Sequence, residues 1–241
     1  MDPQQTRQGP QYILYDADRL PVPDAALFEP EALARAGRLS GRPGGGRGTA
    51  CFLDVGGIPA VLRPYRRGGL FGPLLGDCYA RGRLEATRPW REWRLLARLH
   101  GEGFPVPAPL AARVRMAGPC YRAEILLERL PAATLPETLR HGPLPPERWR
   151  AVGHCIGRLH RRGLDHADLN AHNILLTDDG TIHVIDLDRA RLRRHAGRWP
   201  QRNLARLRRS LAKIARDDDV APVPQSHLTA LEQGWQQALE E

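Results

Sequence analysis

The chain has 241 residues, of which 41% are hydrophobic and 26% are charged. This composition allows one large domain or two smaller lobes and excludes wholesale disorder. The formal net charge is +9, and Lys213 is the single lysine among 36 lysine and arginine residues. Arginine binds phosphates and carboxylates through a planar fork, so the composition predicts an anionic partner, although arginine usage can also reflect genome composition.

The cysteines and the hydropathy pattern indicate the cellular compartment in which the protein is expected. The four cysteines are dispersed and form no C-x-x-C pair, which argues against a zinc site or a disulfide framework and favours a reducing compartment. No run of about 18 apolar residues occurs, and the N-terminus lacks the apolar stretch of a signal peptide. We therefore expect a cytoplasmic protein, with peripheral attachment to a membrane left open.

The first half of the sequence predicts a β-rich lobe. Residues 1–40 contain scattered prolines and are expected to be irregular. Ser40–Gly48 reads S-G-R-P-G-G-G-R-G, which is typical of a loop. Two β-prone runs, Thr49–Val55 and Ile58–Arg63, follow it and are separated by a Gly-Gly pair that is typical of a hairpin.

The remaining elements predict a more helical second half. A boundary near residue 131 then gives an N-lobe at 41–131, with the glycine-rich loop, and a C-lobe at 132–241. In chain order the later elements are a helix over Pro89–His100, a strand over Tyr121–Leu130, a helix over Glu147–Arg162, short strands over Ile174–Leu176 and His183–Leu187, and a basic helix over Asn203–Ala215.

The strongest chemical signal is the segment H-A-D-L-N-A-H-N-I-L-L, residues 166–176. Phosphoryl transfer needs a carboxylate that orients and deprotonates the acceptor hydroxyl, and oxygen ligands that hold magnesium against the phosphates. Asp168 suits the first role, whereas Asn173 and Asp186 suit the second. Each residue alone could cap a turn or end a strand, but the joint spacing with flanking β-runs predicts a phosphotransferase.

This spacing resembles the catalytic loop and magnesium motif of protein-kinase-like phosphotransferases, H-x-D-x-x-x-x-N followed by an aspartate. The resemblance implies an α+β fold with two lobes, a small β-rich N-lobe and a mostly helical C-lobe. It also implies ATP and Mg²⁺ as cofactors. In such kinases a glycine-rich loop covers the nucleotide phosphates, and the corresponding glycines here are Gly44, Gly45, Gly46 and Gly48.

The resemblance assigns further residues to the nucleotide. Arg63 stands where such kinases place the strand lysine that pairs with the α- and β-phosphates, and it keeps the charge while adding a bidentate fork. A helix glutamate should hold this cation. Glu92 is preferred to Glu85, although a solvated surface glutamate is the alternative for either. Glu128 and Leu130 fall at the connection between the lobes, where backbone groups would hold the adenine.

The end of the chain disfavours a peptide substrate. Fifty-five residues follow Asp186, and they contain no A-P-E segment. Protein kinases use an activation loop and several further helices to present a peptide, and the arginine that usually precedes the catalytic aspartate is Ala167 here. We therefore expect a C-lobe that lacks the late peptide-binding helices.

Four segments together look like the 3-deoxy-D-manno-octulosonic acid (Kdo) kinase family of lipopolysaccharide core kinases. They read A-V-L-R-P-Y-R-R-G-G-L, H-A-D-L-N-A-H-N-I-L-L, I-D-L-D-R-A-R-L and N-L-x-R-L-x-R-S-L-x-K, and they span roughly residues 45–215. The resemblance implies ATP-dependent phosphorylation of the 4-hydroxyl of Kdo on a lipid A precursor. It also implies a peripheral protein at the cytoplasmic face of the bacterial inner membrane.

Kdo is an anionic sugar acid, and three residues are candidates for binding it. Arg66 and Arg67 could clamp a carboxylate or phosphate, although they could equally form surface ion pairs. Asn170, in the catalytic loop, is the third candidate. The segment Arg189–Arg216 contains no acidic residue, and its helix carries an apolar stripe opposite arginines, which forms domain core or lies on an anionic membrane surface.

Two other functions stay open from the residues alone. One is a kinase for another small hydroxyl compound, such as a core heptose, an aminoglycoside or a choline-like alcohol. The other is a non-catalytic module on a kinase-like fold that binds anionic lipid or nucleic acid. The retained Asp168, Asn173 and Asp186 argue against the second, and no nucleic-acid partner is expected.

Overall fold

The computed structural model describes residues 1–41, 50–66, 78–194, 197–217 and 220–241. The predicted loop glycines Gly44, Gly45, Gly46 and Gly48, and also Arg67, lie outside these residues. The chain divides into two compact units. Unit 1 comprises Met1–Gly101 and Pro107–Leu130, and unit 2 comprises Glu102–Val106 and Pro131–Glu241.

Unit 1 is built on an antiparallel sheet that has eight strands within the described residues, in the order β1-β2-β7-β8-β5-β4-β3, with β6 paired to β8. Helices α1 (Pro30–Arg35) and α2 (Arg88–Gly101) accompany it. The strands are β1 (Pro3–Gln8), β2 (Gln11–Asp16), β3 (Leu39–Gly41), β4 (Cys51–Val55), β5 (Ile58–Pro64), β6 (Tyr79–Ala80), β7 (Pro109–Ala117) and β8 (Cys120–Glu128).

Local sequence explains the central hairpin and the helix that packs on the sheet. Gly56 and Gly57 join β4 to β5 with φ angles of 64° and 87°, the left-handed conformations that a tight hairpin turn requires. In α2, the buried side chains recur at helical spacing, so one face packs against β7 and β8. These buried residues include Trp90, Trp93, Leu96 and Leu99.

The expectation that residues 1–40 are irregular is wrong. β1 and β2 form a hairpin that extends the sheet beside β7. The prolines that suggested irregular structure lie where strands tolerate them, because Pro3 begins β1 and Pro10 lies in the turn after it. The buried Arg113 ties this segment to the sheet, since its guanidinium bonds Glu29 at 2.6 Å and Glu124 at 2.8 Å.

The expectation that the cysteines form no disulfide is also wrong. Cys78 and Cys120 are bonded, with their Cα atoms 5.6 Å apart. The pairing of β6 with β8 brings together two residues that are 42 positions apart, which their spacing alone does not reveal. Cys51 and Cys155 are buried and lie outside this disulfide, and burial raises the pKa of Cys155 to about 12. The cysteines therefore do not support the inference of a reducing compartment.

Unit 2 holds most of the helices in the described chain, which confirms the mixed α+β class. Its strands form two small antiparallel sheets, β12-β11-β9 and β10-β13. The elements are β9 (Ala132–Thr134), α3 (Leu135–His141), α4 (Pro146–Arg161), β10 (Leu164–Asp165), β11 (Ile174–Thr177), β12 (Ile182–Val184), β13 (Arg191–Leu192), α5 (Trp199–Asp217) and α6 (Gln225–Glu240).

The basic segment that was predicted to be helical forms α5. Its apolar stripe is buried, so this stripe is part of the core and is not available to a membrane surface. The stripe consists of Leu204, Leu207, Leu211 and Ile214. In the described parts of the chain, no helix combines the length and apolar character needed to cross a membrane.

Helices α4 and α6 pack closely because glycines line their contact. A Cβ atom on Gly153 would overlap the carbonyl oxygen of Leu231, and one on Gly157 would lie 2.6 Å from the carbonyl oxygen of Trp235. Gly234 of α6 approaches the backbone of Arg150 in the same manner. These glycines allow the two backbones to approach at a distance that any side chain would prevent.

We expect Gly153→Ala to destabilise the protein by about 1–3 kcal/mol, because the overlap outweighs the helix propensity that alanine adds. Gly101→Ala is the matched control, since Gly101 is also helical and a Cβ there meets nothing within 4 Å. Thermal unfolding of the two variants measures the difference. Equal unfolding temperatures would contradict the close packing of α4 and α6.

Candidate active site

In unit 1, a buried carboxylate holds a cation on the sheet. The side chain of Glu92 is 0% exposed, and both of its carboxylate oxygens accept hydrogen bonds from Arg63 Nη2, at 2.5 and 2.6 Å. The hydroxyl of Tyr65 also donates to Glu92. Since a buried charge is stable only when it is paired and hydrogen-bonded, these contacts fix the position of the Arg63 head group.

Strand alternation and helix spacing produce this cluster. Arg63 lies near the end of β5 and Tyr65 follows two residues later, so both side chains project from the same face. Glu92 lies on the buried side of α2. The structure therefore places Glu92 against Arg63, whereas Glu85 is exposed. Sequence reasoning missed Tyr65, although its i+2 spacing from Arg63 was a usable signal.

In unit 2, the segment between β10 and β11 presents Asp168 to solvent. Its side chain is 54% exposed, while its backbone carbonyl accepts a hydrogen bond from Asn173 Nδ2 at 3.0 Å. This bond uses the amide nitrogen of Asn173, so the side-chain oxygen Oδ1 is the candidate ligand atom. The loop from 166 to 173, here called the catalytic loop, therefore fixes Asp168 and Asn173 relative to each other.

The β11–β12 hairpin brings Asp186 to the same end as Asn173. Ile174 pairs with Val184, and the Ile185 amide donates to the carbonyl oxygen of Asn173 at 3.0 Å. Asp186 comes next and has a φ of 62°, a left-handed conformation that is uncommon for a residue other than glycine. Such outliers cluster at functional sites, where the surrounding structure maintains them.

His166 ties the catalytic loop to the residue that precedes Asp186. Its Nε2 atom lies 2.9 Å from the carbonyl oxygen of Ile185. A carbonyl only accepts, so Nε2 carries the proton and donates. Both backbone polar groups of Ile185 are therefore held by the loop, through His166 and Asn173.

Helix α5 holds the catalytic loop from another side. Asn203 Nδ2 donates to Asp165 Oδ1 at 3.1 Å, and Ser210 Oγ accepts from the Ala171 amide at 3.0 Å. Burial raises the pKa of Asp165, but hydrogen bonds from Arg193 and Asn203 outweigh it and hold that pKa below its ordinary value. Sequence reasoning missed these anchors, because α5 begins 23 residues after the end of the motif at Leu176.

The other predicted site residues have varied positions. Asn170 bonds within its own loop, since Nδ2 donates to the Asp168 carbonyl and Oδ1 accepts from the His172 amide. Arg66 is exposed at the edge of the described residues. The carboxylate of Glu128 forms an ion pair with Arg19 at 2.8 Å. Leu130 is half-buried and is the last residue of unit 1.

The side-chain oxygens of Asn173 and Asp186 suit a hard divalent cation that also binds water or phosphate oxygens. Asn173 Oδ1 and the Asp186 carboxylate are candidate oxygen ligands, of the kind that Mg²⁺ prefers. Among the described residues, no group of three or more histidine, cysteine, aspartate and glutamate side chains forms a metal cluster.

We expect a double-mutant cycle to show that Arg63 and Glu92 act as one unit. Arg63→Ala should lose most turnover, Arg63→Lys should be impaired but active, and Glu92→Ala should lose less because it acts through Arg63. Non-additive losses, with a coupling of about 0.5–3 kcal/mol, would match the geometry.

Glu85→Ala controls for the loss of a glutamate charge, since Glu85 is exposed. Tyr65→Phe removes one hydrogen bond to Glu92 and should cause a smaller loss than Glu92→Ala. Strict additivity in the cycle would show that Glu92 does not position Arg63.

Comparison with known proteins identifies the family of the chain. Residues 34–237 match the lipopolysaccharide kinase (Kdo/WaaP) family. A 3-deoxy-D-manno-octulosonic acid kinase of Xylella fastidiosa is 44% identical over 211 residues, covering 88% of this chain and 84% of that protein. Proteins with the same name from Vibrio parahaemolyticus and Stenotrophomonas maltophilia are 39% and 41% identical, covering 87% and 90% of this chain and 88% and 86% of their own lengths.

The match covers most of the chain, including both the Arg63–Glu92 pair and the catalytic loop. It confirms the resemblance that the sequence motifs indicated. The chain belongs to the lipopolysaccharide kinase (Kdo/WaaP) family.

Proposed function

We propose that this kinase transfers the γ-phosphoryl group of ATP to a hydroxyl of Kdo on a lipid A precursor, at the 4-hydroxyl, in lipopolysaccharide core biosynthesis. The observation that carries the proposal is the exposed Asp168, held by a loop whose other end leads to Asn173 and Asp186. The names of the relatives supply the acceptor, a 3-deoxy-D-manno-octulosonic acid.

Asp168 is proposed to orient and deprotonate the acceptor hydroxyl. General-base catalysis needs a carboxylate within hydrogen-bond reach of that hydroxyl. Exposure of the Asp168 side chain makes its oxygens accessible, while the hydrogen bond to its carbonyl keeps the backbone of this residue in place. A base held in this way loses little orientational freedom when the acceptor binds.

Asn173 Oδ1 and an Asp186 carboxylate oxygen would hold Mg²⁺. The ion, when bound, neutralises charge on the nucleotide phosphates. The left-handed backbone at Asp186 and the bonds to Ile185 determine the position from which the Asp186 side chain extends. Asn173 contributes a neutral oxygen, because its side-chain nitrogen already donates a hydrogen bond within the loop.

Unit 1 is proposed to bind the nucleotide. Arg63 would pair with the α- and β-phosphates, and Glu92 would orient it as a positioning residue. The backbone of Glu128 and Leu130 would hold the adenine. The loop glycines Gly44, Gly45, Gly46 and Gly48 would cover the phosphates with their amide groups, a role that rests on the sequence resemblance.

The acceptor is proposed to lie at an anionic membrane surface, the cytoplasmic face of the inner membrane. Five cations follow a 4-3-4-3 spacing along the exposed face of α5, so they form one stripe. Such a stripe attracts anionic lipid head groups by roughly 1 kcal/mol for each cation near the surface. The stripe consists of Arg202, Arg206, Arg209, Lys213 and Arg216.

The same charge argues against the cationic acceptors among the alternatives. An aminoglycoside or a choline-like alcohol would be repelled by a surface of this sign. A core heptose stays a second candidate, because Kdo and heptose kinases would use the same base and metal ligands. Arg66 and Arg67 are further candidates for contact with an acidic acceptor, whereas Asn170 is used within its loop.

Product analysis tests the proposal directly. Purified protein is incubated with ATP, Mg²⁺ and a Kdo-bearing lipid A precursor, and mass spectrometry follows the addition of one phosphoryl group. Fragmentation locates that group on Kdo, and NMR assigns the hydroxyl. A phosphoryl group on another sugar, or no transfer with Kdo acceptors, would contradict the proposal.

We expect Asp168→Asn to lower turnover by about 10²-fold or more while ATP still binds, because the amide keeps the size and removes the base. Asp178→Asn is the matched control, since Asp178 is an exposed aspartate in the turn that joins β11 to β12. Steady-state kinetics and nucleotide titration measure both variants. Near-normal turnover in Asp168→Asn would remove the base assignment.

A further inference from the structure

Arg206 of α5 lies beside the carboxylate of Asp168. Its Nη1 atom is 3.4 Å from Asp168 Oδ1, and the two side chains are 47% and 54% exposed. An ion pair with this exposure contributes little to stability. The contact therefore places a cation at the proposed base without a structural need for it.

The helix that carries Arg206 is anchored on both sides of this residue. Asn203, three residues earlier, bonds Asp165, and Ser210, four residues later, bonds the Ala171 amide. These three residues lie along one edge of α5, which faces the catalytic loop. Arg206 thus lies between two anchored residues of α5, and its guanidinium contacts Asp168.

The catalytic loop itself offers no arginine or lysine. Its residues 166–173 read H-A-D-L-N-A-H-N, and His166 is buried against Ile185. An acidic sugar would bring a second carboxylate close to that of Asp168. Like charges at such short range repel, so an acidic acceptor needs a cation near the base.

We propose that Arg206 binds the carboxylate of the acceptor sugar and selects an acidic acceptor over a neutral one. This inference rests on the proposed function, because it requires Asp168 to face the acceptor hydroxyl. The guanidinium has five N–H donors arranged as a fork that matches a carboxylate. The contact with Asp168 uses one terminal nitrogen, so the fork can bind a second carboxylate from the acceptor.

The experiment compares two acceptors that differ in one charge. One is a lipid A precursor that bears Kdo, and the other is the same compound with the Kdo carboxylate converted to an amide. The ratio of their kcat/KM values is measured with ATP and Mg²⁺ for the wild type and three variants. These variants are Arg206→Gln, Arg206→Lys and Arg208→Gln.

We expect the wild type to prefer the acid, and Arg206→Gln to reduce this preference by about 10- to 100-fold, the range of hydrogen bonds to charged groups. The loss should come mainly from a higher KM for the acid. Arg206→Lys should be intermediate, because it keeps the charge and loses the fork. Arg208→Gln should keep the wild-type ratio. This substitution removes the same charge from the same helix, but Arg208 pairs with Glu232 at 2.7 Å and not with Asp168.

Two results would overturn the inference while leaving the proposed function intact. One is an unchanged kcat/KM with both acceptors in a folded Arg206→Gln protein. The other is an equal loss with both acceptors, which would assign Arg206 to the phosphoryl group or to the lipid surface instead of the sugar acid. A wild type that phosphorylates neither acceptor would instead overturn the proposed function, and this inference with it.

Discussion

The chemistry of this protein depends on how the catalytic loop is held. Asp168 is exposed, so packing around its side chain does not fix it. Its position comes from backbone hydrogen bonds, and those bonds are made by Asn173 within the loop, by His166 toward Ile185 and by Ser210 of α5. For the proposed base, a backbone held in this way avoids much of the ordering cost that a flexible residue would incur during catalysis.

The two units place their key carboxylates in different environments. In unit 1, Glu92 is fully buried, and its charge is compensated by Arg63 and by the Tyr65 hydroxyl. In unit 2, the Asp168 carboxylate lies in solvent, with Arg206 alongside. A buried carboxylate is suited to hold a cation in one orientation, whereas an exposed carboxylate is suited to meet a substrate.

Sequence reasoning reached the parts of the protein whose signals are local. The hairpin around Gly56 and Gly57, the buried face of α2 and the spacing of the catalytic motif all depend on near neighbours. The pairing of the β1–β2 hairpin with β7 and the Cys78–Cys120 disulfide depend on contacts between distant segments, which composition and periodicity do not encode. The anchors on α5 were missed for the same reason, since Asn203 and Ser210 read as ordinary polar helix residues.

The most direct test of this account is hydrogen exchange at the Ala171 amide, whose bond to Ser210 Oγ ties the catalytic loop to α5. The exchange rate is compared in the wild type, in Ser210→Ala and in Ser226→Ala, an exposed serine of α6. The account predicts exchange about 2- to 10-fold faster in Ser210→Ala, together with a lower kcat, because one hydrogen bond is lost. Unchanged exchange and unchanged kcat in Ser210→Ala would show that α5 does not hold the catalytic loop.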